Sequence, residues 1–130
     1  MANKKLYETV GSTAYDNLIV DNFPPADVYS VTVTSGEGKL TRGTVLALST
    51  GTAGTGKMRI LGTTAGSNET LDANCILAED VDATRADATA LAYRTGHFNR
   101  QALIVKTEYT FKLADEEALR KGGILLSDAL

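Results

Sequence analysis

Short runs of alternating apolar and polar residues dominate the chain, with turn-forming clusters between them. Val28–Thr34 alternates cleanly: Tyr29, Val31 and Val33 point one way and Val28, Ser30, Thr32 and Thr34 the other, the pattern of a half-buried strand. Ser35–Lys39 is a turn cluster, and Thr44–Leu48 is apolar enough for a buried strand. Loops are expected at Thr50–Gly56 and Gly62–Thr70, with a short strand at Met58–Leu61 between them. Cys75–Ala78 is apolar again, and Asp80–Asp87 reads as an acidic turn. Ala88–Thr95 alternates, with Thr89, Leu91 and Tyr93 on one face and Ala90, Ala92 and Arg94 on the other; Gly96 is expected to end it. Two more strands are expected at Ala102–Val105 and Glu108–Leu113, with Tyr109, Phe111 and Leu113 sharing a face. One helix of about two turns follows, with Asp115 as its cap. Glu116 and Glu117 suit the positive end of its dipole, Arg120 and Lys121 lie in the last turn, and Gly122-Gly123 provides the left-handed end. Ile124–Leu126 then returns as a short strand or docking segment. The expected fold is mostly β, a β-rich α+β single domain of small barrel-like form.

Residues 1–25 differ from the rest. Leu6, Tyr7, Val10, Tyr15, Leu18, Ile19, Val20 and Phe23 are apolar but follow no sustained period, and the segment ends at Pro24-Pro25. Two prolines fix φ and extend the residue before them, so the segment reads as an arm on a stiff elbow, followed by a domain over 26–130. Two readings stay open: a strand packed on its own domain, or an arm that orders against a partner.

With 130 residues the chain has room for one core. The 17 Thr, 17 Ala and 12 Gly favour short strands and loops over long helices. A net charge of −3 argues against a nucleic-acid-binding module, and no apolar run approaches the length of a membrane span. The N-terminus lacks the apolar stretch of a signal peptide, and Cys75 is the single cysteine, so synthesis in a reducing cytoplasm and no disulfide framework are expected.

Candidate chemistry is sparse. Gly51–Lys57 matches the first seven positions of a phosphate loop, but Met58 stands where the magnesium-binding Ser or Thr belongs, and a strand-like run follows instead of a helix. Asp80, Asp82 and Thr84 open like a calcium loop, yet Arg85 and Leu91 occupy the positions that need Gly and Glu. Asn68-Glu-Thr70 is a glycosylation sequon, without meaning unless the chain is secreted. Cys75 reads as a small buried hydrophobe and His97 as a loop side chain. No cofactor, metal, catalytic group or small-molecule substrate is indicated.

Several segments, in the same order, resemble the head decoration proteins of lambda-like tailed phages and prophages. They are Leu40–Leu46, Ile76-Leu-Ala-Glu-Asp-Val-Asp-Ala-Thr84, Ala88–Tyr93, Thr95-Gly-His-Phe-Asn-Arg-Gln-Ala-Leu103 and Glu117–Leu126. The resemblance covers roughly residues 18–126, and its most specific part is the Leu-Ala-Glu-Asp-Val-Asp-Ala run with Gly-x-Phe-Asn downstream. It implies a non-enzymatic virion protein made in the host bacterial cytoplasm, of β-clip type. It implies a homotrimer bound outside the expanded head at (quasi-)threefold sites, clamping neighbouring major capsid proteins against the pressure of packaged DNA. It also implies an N-terminal arm that becomes ordered on the shell and adds to capsid β-structure. On this reading Leu6, Tyr7, Val10, Tyr15, Leu18 and Ile19 contact the capsid, Pro24 and Pro25 set the exit angle, and Phe98 and Asn99 lie near a subunit contact or support their loop. Another virion module, a head fibre or tail subunit, is the alternative; a small enzyme or ligand-binding domain is a third.

Overall fold

A computed structural model describes residues 17–128. Among these residues nine strands appear in chain order: β1 (Ile19–Asp21), β2 (Asp27–Val33), β3 (Gly38–Leu40), β4 (Val45–Thr50), β5 (Met58–Ile60), β6 (Thr70–Leu77), β7 (Val81–Ala83), β8 (Ala88–Asn99) and β9 (Ile124–Ser127). A 3-10 turn at Arg100–Ala102 and one helix, α1 (Leu113–Gly122), lie between β8 and β9.

Five strands close on themselves. β8 pairs β2, β2 meets β5 in parallel, β5 pairs β4, β4 pairs β6, and β6 returns to β8 through Ile76↔Tyr93 and Leu77↔Ala92. Closure removes the free edges of those strands. It also explains why some strands alternate and others do not. Val31 and Val33 of β2, Leu46 of β4, Cys75 and Leu77 of β6, and Ala90 and Ala92 of β8 form one buried cluster with Met58. The opposite faces of β4, β6 and β8 present Val45, Ala47, Ile76 and Tyr93 to a second cluster, completed by Leu18, Phe98, Leu119 and Ile124. Strands covered on both sides carry continuous apolar runs, hence Thr44–Leu48. The alternation expected along Ala88–Thr95 is present. Its inner face carries the alanines, where small side chains suit a narrow barrel, and Leu91 on the other face is exposed.

Four expectations need correction. The acidic turn expected over Asp80–Asp87 contains strand β7, which pairs antiparallel with β3. Gly96 does not end its strand: β8 runs on through it to Asn99, with Gly96 at φ +148°. The Gly-x-Phe-Asn stretch is therefore strand, not loop. Residues 102–105 and 108–113 are not ladder strands. Backbone groups of Ile104 and Lys106 bond singly to the rest of the domain: Ile104 N to Gly43 O at 3.0 Å, Val45 N to Ile104 O at 2.8 Å and Lys106 N to Leu61 O at 2.9 Å. Leu103, Val105, Tyr109 and Phe111 pack on the outer cluster, but Leu113 is 74% exposed at the first helical position and does not share their face. The helix begins earlier than expected, with Lys112 at the N-cap. Lys112 has no side-chain oxygen to cap with, so Asp115 reaches back from the third helical position. It accepts hydrogen bonds from Lys112 N at 3.0 Å and Tyr109 Oη at 2.6 Å. Gly123 ends the helix at φ +108°.

Candidate docking surface

The last four residues of β8 serve as a platform. On one edge β1 pairs antiparallel, Ile19 with Phe98 and Asp21 with His97, and Asn99 N donates to Leu18 O at 2.8 Å. On the other edge β9 pairs in parallel over Gly96–Asn99. β1 is the end strand of the sheet, so its outer side is not paired within the described chain. Beneath the platform lie Leu18, Phe98, Leu119 and Ile124, all essentially inaccessible. Tyr93 stands 5.1 Å from Phe98 between ring centroids, a tilted aromatic pair. The platform thus joins the N-terminal strand, the C-terminal strand and the outer core.

The proposed arm residues divide. Leu6, Tyr7, Val10 and Tyr15 lie outside the described residues. Leu18 is 1% exposed and belongs to the chain's own core. Ile19 and Val20 are 37% and 40% exposed on β1. Residues 18–21, ahead of the prolines, are therefore part of the folded domain, with Leu18 in its core and Ile19–Asp21 paired to β8. The Phe23–Pro24 peptide is cis, and the segment is anchored where Thr95 Oγ1 donates to Pro25 O at 2.9 Å. Phe23 projects into solvent at 80% exposure. Half-exposed Val28 and Leu91 add apolar area on the outer faces of the paired β2 and β8, sites the residue pattern alone did not single out. Phe98 and Asn99 are both buried within the chain. Phe98 packs the outer core, and the Asn99 side chain accepts from Gln101 N at 3.0 Å, holding the 3-10 turn.

Arg100, next along the chain, was also not singled out, although it follows directly on Gly-x-Phe-Asn. Its guanidinium bonds both oxygens of Glu116 on α1, at 3.1 and 2.9 Å. It also reaches Asp128 at 2.8 Å and Leu126 O at 3.4 Å beyond and within β9. These acceptors push its pKa further above the usual arginine value. His97 Nε2 lies 2.9 Å from Ser127 Oγ.

The groups with candidate chemistry are dispersed and engaged locally. Lys57, the phosphate-loop lysine, sits 2.6 Å from Asp87, and its loop leads into β5. Asp87 also accepts Ser35 N at 2.8 Å; the Lys57 contact, then this one, hold its carboxyl below the usual range. Asp80 accepts Arg42 N, and Asp82 accepts both the hydroxyl and the N–H of Thr84, which lower its pKa. Glu69, lowered first by Ser49 Oγ and then by Gly66 N, ties strand β4 to the loop before β6. A depression of about 530 Å³ lined by Lys39, Asp82, Thr84, Arg85, Ala86 and Asp87 lies over these loops. Its two carboxylates are already committed to these neighbours. Cys75 is sealed inside the barrel, and burial pushes its thiol pKa up to about 12. Among the described residues no cluster of His, Cys, Asp or Glu could hold a metal, and no helix is long and apolar enough to cross a membrane.

What the arrangement offers is an edge and apolar contact area, the equipment of a binding module built on a closed barrel. The sequence profile of the bacteriophage lambda head decoration protein D family matches residues 8–124, nine-tenths of the chain, and the chain belongs to that family. It is a family of structural capsid proteins and not of enzymes, which supports a decoration role at the phage capsid. The matched span takes in both the segment before β1 and the whole platform. No curated protein matches the chain.

Proposed function

We propose that this chain binds as a trimer to the outer surface of an expanded phage head at (quasi-)threefold sites, and holds neighbouring major capsid proteins together against the pressure of packaged DNA. The observation that carries the reading is the family match over residues 8–124. The geometry supports it. Among the described residues the far edge of β1 carries no paired strand, and an extended capsid segment paired there would gain main-chain hydrogen bonds. Residues 1–17 are the docking arm, with Leu6, Tyr7, Val10 and Tyr15 as its apolar contacts and Ile19 continuing them along β1. Pro24 and Pro25 hold the elbow behind it. Leu18 anchors the arm's root in the domain and does not touch the partner.

Multivalency makes a small module effective. Once one arm of a trimer docks, the other two bind at high local concentration, and avidity can exceed a single arm's affinity by about 10²–10⁴. Opening the shell must then break contacts to several capsid subunits at once. Binding that favours the mature shell draws the population toward that state. The reaction is association alone, with no cofactor, metal, nucleic acid or membrane.

The mass of the purified chain in solution tests the assembly. Three copies of a 13.7 kDa chain are expected, and a monomer at micromolar concentration would remove the trimer from the account. Immunogold labelling of particles tests the location: label on the head is expected, and label confined to the tail would favour a tail subunit.

A further inference from the structure

We propose that the C-terminal strand β9, latched by Arg100, is the brace that holds β1 on the platform, so that Arg100 is a positioning residue for docking through the N-terminal arm. The proposal rests on the docking reading above. β1 and β9 flank the same residues of β8, which has no other pairing there among the described strands. Gly96 lies within this stretch at φ +148°, a backbone region that glycine enters freely and other residues avoid. Such a stretch has little stiffness of its own and depends on its neighbours. Ile124 of β9, Phe98 of β8 and Leu18 at the root of β1 share one buried cluster, so movement of β9 uncovers the side chains that seat β1. Among the described strands β9 pairs with β8 alone, and it is only four residues long. Its end is held by side chains: Arg100 to Asp128 and to Leu126 O, with Glu116 fixing the guanidinium from α1, and His97 to Ser127.

The latch is charge-assisted and partly shielded, with Arg100 and Glu116 side chains 34% and 24% exposed. Its loss is expected to shift a local opening equilibrium by about tenfold. A docking-competent β1 that is populated less weakens apparent affinity for the shell by the same factor.

Amide hydrogen exchange on the full-length chain, comparing the parent with Arg100→Ala and Arg100→Lys, tests this directly. In Arg100→Ala the amides of β1 and of Asn99, which donates to Leu18 O, are expected to exchange about tenfold faster. Amides of the barrel strands β4 and β6 keep their rates. Arg100→Lys, which keeps the charge and loses the fork, falls between. If β1 exchange is unchanged, or if barrel amides accelerate in step with it, Arg100 is an ordinary stabilising residue and the proposal fails. Should Arg100→Ala not fold, the double variant Ser127→Ala/Asp128→Ala cuts the latch at its exposed end and is read in the same way. Binding to expanded shells is the second readout. An Arg100→Ala chain that binds as tightly as the parent overturns the positioning role. A parent chain that does not bind shells overturns the docking reading instead, while the exchange result still decides whether β9 braces β1.

Discussion

Replacing Gly96 with alanine should destabilise the domain far more than its small added volume suggests. A Cβ at Gly96 would lie 2.6 Å from Phe98 Cζ and 2.7 Å from Cε2, with Ala26 Cα at 3.5 Å. Carbon atoms pack at about 3.5–4.0 Å, so the ring must retreat by about 1 Å. It has nowhere to go: Phe98 is fully buried among Leu18, Tyr93, Leu119 and Ile124. Overpacking of this kind costs about 1–3 kcal/mol. The φ of +148° adds strain of about 1–3 kcal/mol for any residue with a Cβ. The relief from a stiffer unfolded chain is smaller, about 0.4–1 kcal/mol. A net loss of about 1–5.5 kcal/mol is expected, a large share of the roughly 5–15 kcal/mol typical of a domain. Urea unfolding followed by far-ultraviolet circular dichroism, at matched protein concentration, measures it. The Phe98→Leu background separates the two causes. With the ring gone, the alanine should cost at least about 1 kcal/mol less, because the clash is removed and only the backbone strain remains. A Gly96→Ala variant within about 0.5 kcal/mol of the parent, or costs that simply add in the double variant, would refute the reasoning.

Leu18→Ala should cost about 2–5 kcal/mol in the same assay, as for a core leucine, whereas a residue serving only a partner would show no loss in the free chain. Cys75 should be inert to thiol reagents in the folded protein at pH 8 and react fully in urea, since its thiol is buried with a pKa pushed up to about 12. Glu69, Asp82 and Asp87 have folded pKa values below their unfolded ones. The stability they contribute is therefore complete above the unfolded values and is lost as pH falls through the folded ones. The urea midpoint should drop as pH is lowered below about 4, and Asp87→Asn should flatten part of that drop.

How far the fold could be read from the residues depended on whether local pattern and tertiary environment agreed. β2 was legible because one face meets the barrel interior and the other meets solvent, which writes a period of two into Val28–Thr34. The acidic start, basic end and glycine stop marked α1, though its first turn was hidden because Asp115 caps from inside the helix. Residues 102–113 misled because Tyr109 and Phe111 pack on the outer core from an irregular segment, where spacing reports burial and not strand geometry. Gly96 misled for the opposite reason: a glycine reads as a breaker unless the ring that needs its empty side is known. At the docking surface, the apolar content before the prolines was visible, but the place of Leu18 was not. Only burial and pairing against β8 show that Leu18, seven residues before Pro25, belongs to the core. The Arg100 latch spans residues 100, 116 and 128, a constellation that no short motif can announce.

The most direct test of the decoration account is co-sedimentation of the full chain, and of a chain lacking residues 1–17, with expanded and with compact shells of the cognate major capsid protein. The full chain is expected to bind the expanded shell and not the compact one, and the shortened chain to fold, keep its oligomeric state and bind neither. Equal binding of the shortened chain would contradict the arm, and a full chain with no affinity for the expanded shell would contradict the account itself.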